Sequence, residues 1–349
     1  MSGWRDARNV LAVRLDNIGD VVLLSPALRA VKSSRADMRI TLLASPAGAT
    51  AAPLLPWIDD VIVWRAVWQD VGGRMPLDPD RERALIAAIR ERRFDAALIF
   101  TSFSQTPHVP GYACYLAGVP LRAGEGKEFG GSVLTTELRD APDEMHQAER
   151  NLRLVEAVGY RVSDRRLTIR IDDGERRSAR ELAGGRPFVL VHPGASAAAR
   201  RWPASRYASV VRGLTERDTR VVVVGAERER QDVLEAAGDR ADALVGRTTL
   251  GELAALVELA SAVICGNSLP LHLADAVGTP VVALYSGTDL ESQWAPRFAP
   301  ARLLRRETPC HPCYGFTCPI GLACLDIDAR VVIEAVEALR RRGVAEAVA

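Results

Sequence analysis

The sequence predicts an α/β protein built from two doubly wound halves that face each other across a cleft. Three observations predict it. Short apolar, β-rich runs alternate with helix-period stretches, the pattern of a parallel sheet covered on both faces. That alternation is interrupted once, between Gly159 and Glu175, where charge rises, and it then starts afresh. The length of 349 residues suits two domains of ordinary size, each with its own core. The break divides the chain into residues 1–165 and 166–349.

In the first half, Leu11-Ala12-Val13-Arg14-Leu15 reads as a strand and Val21 to Val31, with Leu24, Ala27, Leu28 and Val31 at helical spacing, as the helix after it. Arg39 to Leu43, Val61 to Trp64 and Ala96 to Phe100 read as buried strands, with a helix from Arg81 to Arg92 between the last two. Tyr112 to Leu116 begins a further helix, and Met145 to Val158 is amphipathic at helical period. Arg166 to Ile171 is an isolated extended piece. The second half repeats the scheme. Phe188 to Val191 is a strand, then come a glycine-bearing loop and a helix from about Pro203. Arg220 to Val224, Ala243 to Val245, Ala262 to Cys265 and Pro280 to Tyr285 are strands, separated by helices that end near Glu235, Ala260 and Val277. Ala329 to Arg342 closes the chain as a helix.

Composition excludes several classes. The net charge is +1, so no strongly basic face is implied and nucleic acid is not an expected partner. Lys32 and Lys127 are the only lysines, so phosphate contacts fall to guanidinium groups and backbone amides. No uninterrupted apolar run approaches the length of a membrane span. Arg5, Asp6, Arg8, Arg14 and Asp16 break the first apolar stretch, which argues against a signal peptide and for a cytoplasmic protein. The six cysteines are then expected as thiols or metal ligands rather than disulfides.

The loop Asp16-Asn17-Ile18-Gly19-Asp20 joins the first strand to its helix. Such turns lie at the carboxyl edge of a parallel sheet, where open α/β folds place their ligands. Asp20 therefore suits a general base, or simply caps the helix. In the second half, His192-Pro193-Gly194-Ala195-Ser196 follows a strand and Arg200-Arg201-Trp202-Pro203 opens the next helix. Small residues ahead of a helix N-terminus expose N–H groups to an anion, and Arg200 and Arg201 add directional donors. Gly266-Asn267-Ser268-Leu269-Pro270-Leu271-His272 is a second such loop: Asn267 or Ser268 can cap the helix, and His272 sits about one turn inside it. Glu227, after Val224-Gly225-Ala226, can accept from sugar hydroxyls or cap the following turn. No G-x-G-x-x-G follows a strand, so a nicotinamide dehydrogenase is disfavoured.

These motifs, in this order, resemble glycosyltransferase family 9, the ADP-heptose:lipopolysaccharide heptosyltransferases, and the Cys310-to-Cys324 segment resembles the heptosyltransferase II-type and related branches. The matching segments are Val13-Arg14-Leu15 with Asn17-Ile18-Gly19-Asp20, Phe100 to Gln105, His192 to Ala195, Arg201-Trp202-Pro203, Leu271 to Ala274 and Gly278-Thr279-Pro280. The resemblance implies a GT-B fold of two Rossmann-like domains, with acceptor on the first and nucleotide sugar on the second. It implies an inverting transfer without a catalytic metal. It assigns Asp20 as the catalytic carboxylate and Ser196, Arg200, Arg201, Glu227, Asn267, Ser268 and His272 to the donor, with Ser102 and Gln105 on the acceptor side. Arg200 stands where the family usually has lysine, and Asn267 and Leu269 where it usually has Asp and Gly. The implied partners are an ADP-heptose-type donor and a glycan or lipid-linked acceptor such as lipopolysaccharide core, the latter inviting peripheral association with the cytoplasmic face of the inner membrane. An epimerase or hydrolase of the same fold, or a degenerate sugar-nucleotide-binding protein, are the alternatives.

No cofactor is expected for catalysis. Cys310, Cys313, Cys318 and Cys324 lie in a loop rich in Pro and Gly, and a structural zinc or iron is one reading of them, reduced thiols the other. Cys114 and Cys265 read as small buried packing residues. Asp326-Ile327-Asp328 has the look of a metal-binding Asp-x-Asp, but its place before the last helix argues for capping. Trp57, Trp64 and Trp68 are expected to pack in the core of the first domain, with contact to the acceptor or a membrane face as the alternative reading.

Overall fold

The computed structural model describes residues 3–70 and 72–348, with side chains as far as residue 341. The chain forms two compact units, Met1–Arg170 and Ile171–Ala349. In the first, strands β1 (Asn9–Arg14), β2 (Arg39–Ala44), β3 (Asp60–Val63), β4 (Ala96–Ile99), β5 (Leu121–Glu125) and β6 (Thr136–Leu138) form a six-stranded sheet in the order 3-2-1-4-5-6. Its strand pairs are parallel. In the second, β7 (Val189–His192), β8 (Val221–Gly225), β9 (Asp242–Val245), β10 (Ala262–Gly266), β11 (Val281–Leu284) and β12 (Ala301–Leu304) take the same order, 9-8-7-10-11-12, again all parallel. Each unit is thus a Rossmann-type sheet.

The central strands β1, β4, β7, β10 and β11 are buried on both faces, as parallel sheets covered by helices require, while the edge strands are partly exposed. Val189, Val191, Val221, Val223, Ile264 and Val282 share one core with Tyr207, Val211, Leu214, Val233 and Val336 from the surrounding helices. Leu11, Val13, Leu43, Ala97 and Ile99 share another with Leu85, Ile89 and Cys114, and Trp64 and Trp68 pack against it. In each unit the strand order reverses beside its first strand. The reversal opens a crevice at the carboxyl ends of β1 and β4 in the first unit and of β7 and β10 in the second, the position at which such sheets bind ligands.

Two departures from the sequence reading have clear causes. The expected helix Val21–Val31 is two helices, Ile18–Val22 and Ser25–Lys32. Pro26 has no N–H to continue the first one, and Ser25 turns its hydroxyl to accept from Thr168 N at 3.1 Å. The helix expected from about Pro203 begins at Ala204, as read, and Ala198–Arg200 ahead of it forms a separate 3-10 turn. Strand β5 escaped notice because it carries Arg122 and Glu125, both buried. Arg122 donates to the carbonyls of Val133 (2.6 Å) and Val119 (2.5 Å), and Glu125 pairs with Arg150 and, at 3.0 Å, with Arg153. The extended piece Arg166–Ile171 does not form a strand; Arg170 N donates to Leu54 O at 2.7 Å.

Candidate active site

In the first unit, the crevice at β1 and β4 gathers charge around one buried cation. Arg14, the last residue of β1, is fully buried. Its Nη2 donates to Asp20 Oδ1 and to Ser102 Oγ, each at 2.9 Å, and its Nε lies 2.9 Å from Asp16 Oδ2. Asp20 Oδ2 accepts the N–H of Asn17 at 3.1 Å, the arrangement of a helix cap. Capping and orientation by Arg14 therefore coexist in one carboxylate, which keeps some contact with solvent. Gln105 donates to Asp16 Oδ1 at 2.5 Å and accepts the N–H of Ser102 at 2.9 Å. Burial pushes the Asp16 carboxyl above the ordinary range, and the charge of Asp20 adds to this against the pull of Arg14 and Gln105. The loops after β1 and β4 thus bring Asp20, Ser102 and Gln105 into one network.

The second unit presents a different chemistry at the equivalent crevice. Gly194 follows β7 with no room for a side chain: a Cβ there would fall 2.2 Å from Glu229 Oε1. Glu229 is buried, accepts the N–H of Ala226 at 2.9 Å and lies 3.6 Å from His192 Nε2. Burial alone would raise its pKa, but His192 and the Ala226 amide outweigh it and hold the carboxyl at about 2. Ser196 is exposed, while the N–H groups of Ala199, Arg200 and Arg201 are taken by Phe316, Ala197 and Ala198 carbonyls. Arg201 Nε donates to Ala195 O at 2.9 Å, and Trp202 anchors the segment through Nε1 to Leu325 O at 2.9 Å.

Arg200 is not a free fork. Its Nη2 pairs with Asp289 at 2.9 and 2.8 Å and its Nε donates to Thr288 Oγ1 at 3.2 Å. Asn267 also donates to Asp289, at 3.5 Å. Ser268 holds the cap position of the helix Leu269–Val277, yet its hydroxyl is turned to Gly266 O at 3.5 Å. The first turn of that helix therefore has no side-chain cap, but Pro270 has no N–H and the Leu271 amide donates to Ser268 O at 3.0 Å, so the Leu269 N–H is the first-turn donor open to an anion. His272 is buried, and burial drives its pKa down to about 4, with Arg200 adding to the effect and Asp275 opposing it. It is neutral at pH 7. Glu227 is exposed and paired with Arg230 at 2.6 and 2.8 Å, at the carboxyl end of β8.

The model of glycosyltransferase family 9 (heptosyltransferase) matches residues 83–323, more than half of the sequence. The chain belongs to that family. Family 9 membership makes it a glycosyltransferase, and its two Rossmann-type units are those of the GT-B fold. Lipopolysaccharide heptosyltransferase 2 of Escherichia coli is 24% identical over 326 residues, covering 86% of this chain and 89% of that protein. The solved structure of the E. coli ADP-heptose lipopolysaccharide heptosyltransferase II matches with a TM-score of 0.75 at 20% identity, over 96% of this chain and 99% of that one. A family 9 glycosyltransferase from Veillonella parvula matches with a TM-score of 0.75 at 21% identity, over 96% and 97%.

Sequence reasoning missed Asp16, Thr288, Asp289 and Glu229, and gave Arg14 no role. Arg14 carried a signal, since a charged residue ending a buried apolar strand needs a partner. Asp289 carried one too, as a carboxylate in the loop that follows β11 at the same sheet edge. The cysteines do not gather. Cys310 and Cys313 are exposed, Cys318 half-buried and Cys324 buried. Cys318 Sγ accepts the N–H of Leu322 at 3.3 Å, and Cys310 Sγ lies 3.5 Å from Thr308 Oγ1. Among the described residues no three His, Cys, Asp or Glu side chains come together as metal ligands, so this arrangement does not fit a tetrathiolate zinc or iron centre. Asp328 accepts the N–H of Arg330 at the start of the last helix, and Asp326 pairs with Arg206 and Arg306, so Asp-x-Asp serves structure here. No helix among the described residues is long and apolar enough to cross a membrane.

Proposed function

We propose that this glycosyltransferase moves a heptose, or a closely related sugar, from an ADP-sugar to a glycan acceptor of the lipopolysaccharide-core type, with inversion and without a metal. The observation that carries the reading is the contrast between the two crevices. One offers an oriented carboxylate, Asp20, fixed by Arg14 and the Asn17 amide. The other offers a guanidinium and the uncapped first turn of a helix.

In this mechanism the acceptor hydroxyl loses its proton to Asp20 as its oxygen forms the new bond to the anomeric carbon. The bond from that carbon to the diphosphate oxygen breaks on the opposite side, so configuration inverts. The departing nucleoside diphosphate gains negative charge, which Arg200 and the Leu269 amide at the N-terminus of the Leu269–Val277 helix stabilise. Glu227 accepts from hydroxyls of the nucleotide sugar, and Ser196 and Arg201 complete the phosphate contacts. Ser102 and Gln105 serve the acceptor side by holding Asp16 and Arg14, and so Asp20, in place. His272, neutral and buried beside Arg200, shapes the pocket wall rather than adding charge. The reading takes the four loop cysteines as ordinary thiols, and it takes the acceptor's lipid anchor to draw the protein to the inner membrane surface.

The donor side is tested by thermal shift with ADP-, UDP- and GDP-sugars. A donor at a hundred times its Kd stabilises the fold by about 2.7 kcal/mol, and the expected ranking puts the ADP-sugar first. Product anomers are then assigned by NMR. Retention of configuration, or a UDP- or GDP-sugar as the best ligand, would overturn the corresponding part of the proposal.

A further inference from the structure

Asp289 is buried and makes four contacts that involve the charged edge of Arg200 directly or through neighbours. Both carboxylate oxygens meet Arg200 Nη2, at 2.9 and 2.8 Å. Oδ2 also accepts the Thr288 hydroxyl at 2.7 Å and the Asn267 amide at 3.5 Å. Thr288 has a single hydroxyl proton, and it goes to Asp289. Thr288 Oγ1 must therefore accept in its other contacts, from Arg200 Nε at 3.2 Å and from Ser286 Oγ at 2.9 Å. The chain Ser286–Thr288–Asp289 is buried and its proton directions are fixed throughout.

The backbone ties the two loops together as well. Phe316 O accepts the N–H of Ala199, next to Arg200, while Tyr314 N donates to Thr288 O at 2.8 Å and Cys313 N to Gly287 O at 2.9 Å. The cysteine-bearing segment is thus a brace hydrogen-bonded to the loop of Arg200 on one side and to the loop of Asp289 on the other. Of the three guanidinium nitrogens, Nε and Nη2 are committed, and Nη1 is left without a partner among the described residues. The side chain as a whole keeps about a quarter of its exposure, 25%.

We propose that Asp289 is a positioning residue that, with Thr288, fixes one edge of the Arg200 guanidinium and reserves the Nη1 edge for the diphosphate of the donor. The proposal rests on the reading of the second unit as the nucleotide-sugar site. A planar fork can serve the carboxylate on one side and the anion on the other. A lysine cannot: its single ammonium, once held by Asp289, draws the phosphate against that carboxylate. Arginine at this position and aspartate at 289 therefore belong together.

The test is a cycle of four proteins, wild type, Arg200→Lys, Asp289→Asn and both substitutions together, with binding of inorganic pyrophosphate and of ADP measured by calorimetry. Arg200→Lys keeps the charge yet is expected to lose about tenfold in affinity, the size of one charge-assisted hydrogen bond. The double variant is expected to recover most of that loss, because the ammonium is released. Thr288→Val is expected to weaken binding several-fold, with Thr288→Ser restoring it; circular dichroism and Tm confirm folding for each protein. If the double variant binds more weakly than either single one, or if Arg200→Lys matches wild type, the positioning role is refuted while the donor site stands. If wild type binds neither pyrophosphate nor any nucleoside diphosphate, the donor-site reading fails, and this inference with it.

Discussion

His272 offers a test in which stability, charge and pH are tied together. The ring is buried, with its centroid 6.3 Å from that of Trp294, and its pKa falls from 6.5 to about 4. The neutral form is therefore favoured in the folded state. A depressed histidine contributes stability that is fully present above pH 6.5, where both states are neutral. As pH falls below 6.5 the unfolded chain takes up a proton that the folded chain refuses, and the penalty grows until about pH 4. At 1.36 kcal/mol per pH unit the full penalty is about 3 kcal/mol. Between pH 7 and pH 4.5 it amounts to roughly 2 kcal/mol. The assay is urea unfolding of wild type and His272→Gln at both pH values, following the second unit. Subtracting one protein from the other removes the carboxylates that titrate in the same range. His272→Gln is expected to be the less stable protein at pH 7 and to narrow that gap, or reverse it, by about 2 kcal/mol at pH 4.5. A difference between the two proteins that does not change with pH would refute the claim that His272 is held neutral.

Two further substitutions probe the crevices. Arg14→Met leaves Asp16 and Asp20 without their shared buried cation, and breaking such a pair costs about 3–5 kcal/mol. The transition of the first unit is expected to drop by about 10 °C at pH 7 and to recover in part near pH 5, where one carboxyl takes up a proton; an unchanged Tm at pH 7 would contradict the geometry. Gly194→Ala places a methyl 2.2 Å from the pinned Glu229 carboxylate and is expected to cost about 1–3 kcal/mol. The same substitution in a Glu229→Ala background should cost much less, and equal costs in the two backgrounds would show that Glu229 is not the obstacle.

Much of this fold was legible because parallel strands buried on both faces announce themselves as apolar runs: Val221 to Val224 and Ala262 to Cys265 needed no tertiary information. β5 was illegible for the converse reason, since its Arg122 and Glu125 are compensated by Val133, Val119, Arg150 and Arg153, which are distant in sequence or outside any motif. The strand-end loops of the crevices could be placed, since glycine and small residues between strand and helix mark them. What could not be read was how the charges pair. Arg200 looked like an unengaged fork, and only the approach of β11's loop shows that Asp289 holds one side of it. Likewise Asp20 read as either a base or a cap, whereas the carboxylate has two oxygens, one on Asn17 N and the other on Arg14. The cysteine spacing invited a metal, yet the segment's visible part in the fold is its backbone, which braces the loops of Arg200 and Thr288.

The most direct measurement is transfer itself, followed by mass spectrometry with an ADP-heptose donor and a lipopolysaccharide-core acceptor, in wild type and in Asp20→Asn. The account predicts acceptor that gains one sugar with wild type, and none above background with Asp20→Asn even though that variant still binds ADP with wild-type affinity. Turnover by Asp20→Asn within a few-fold of wild type would contradict it, because no carboxylate would then be needed to take the proton.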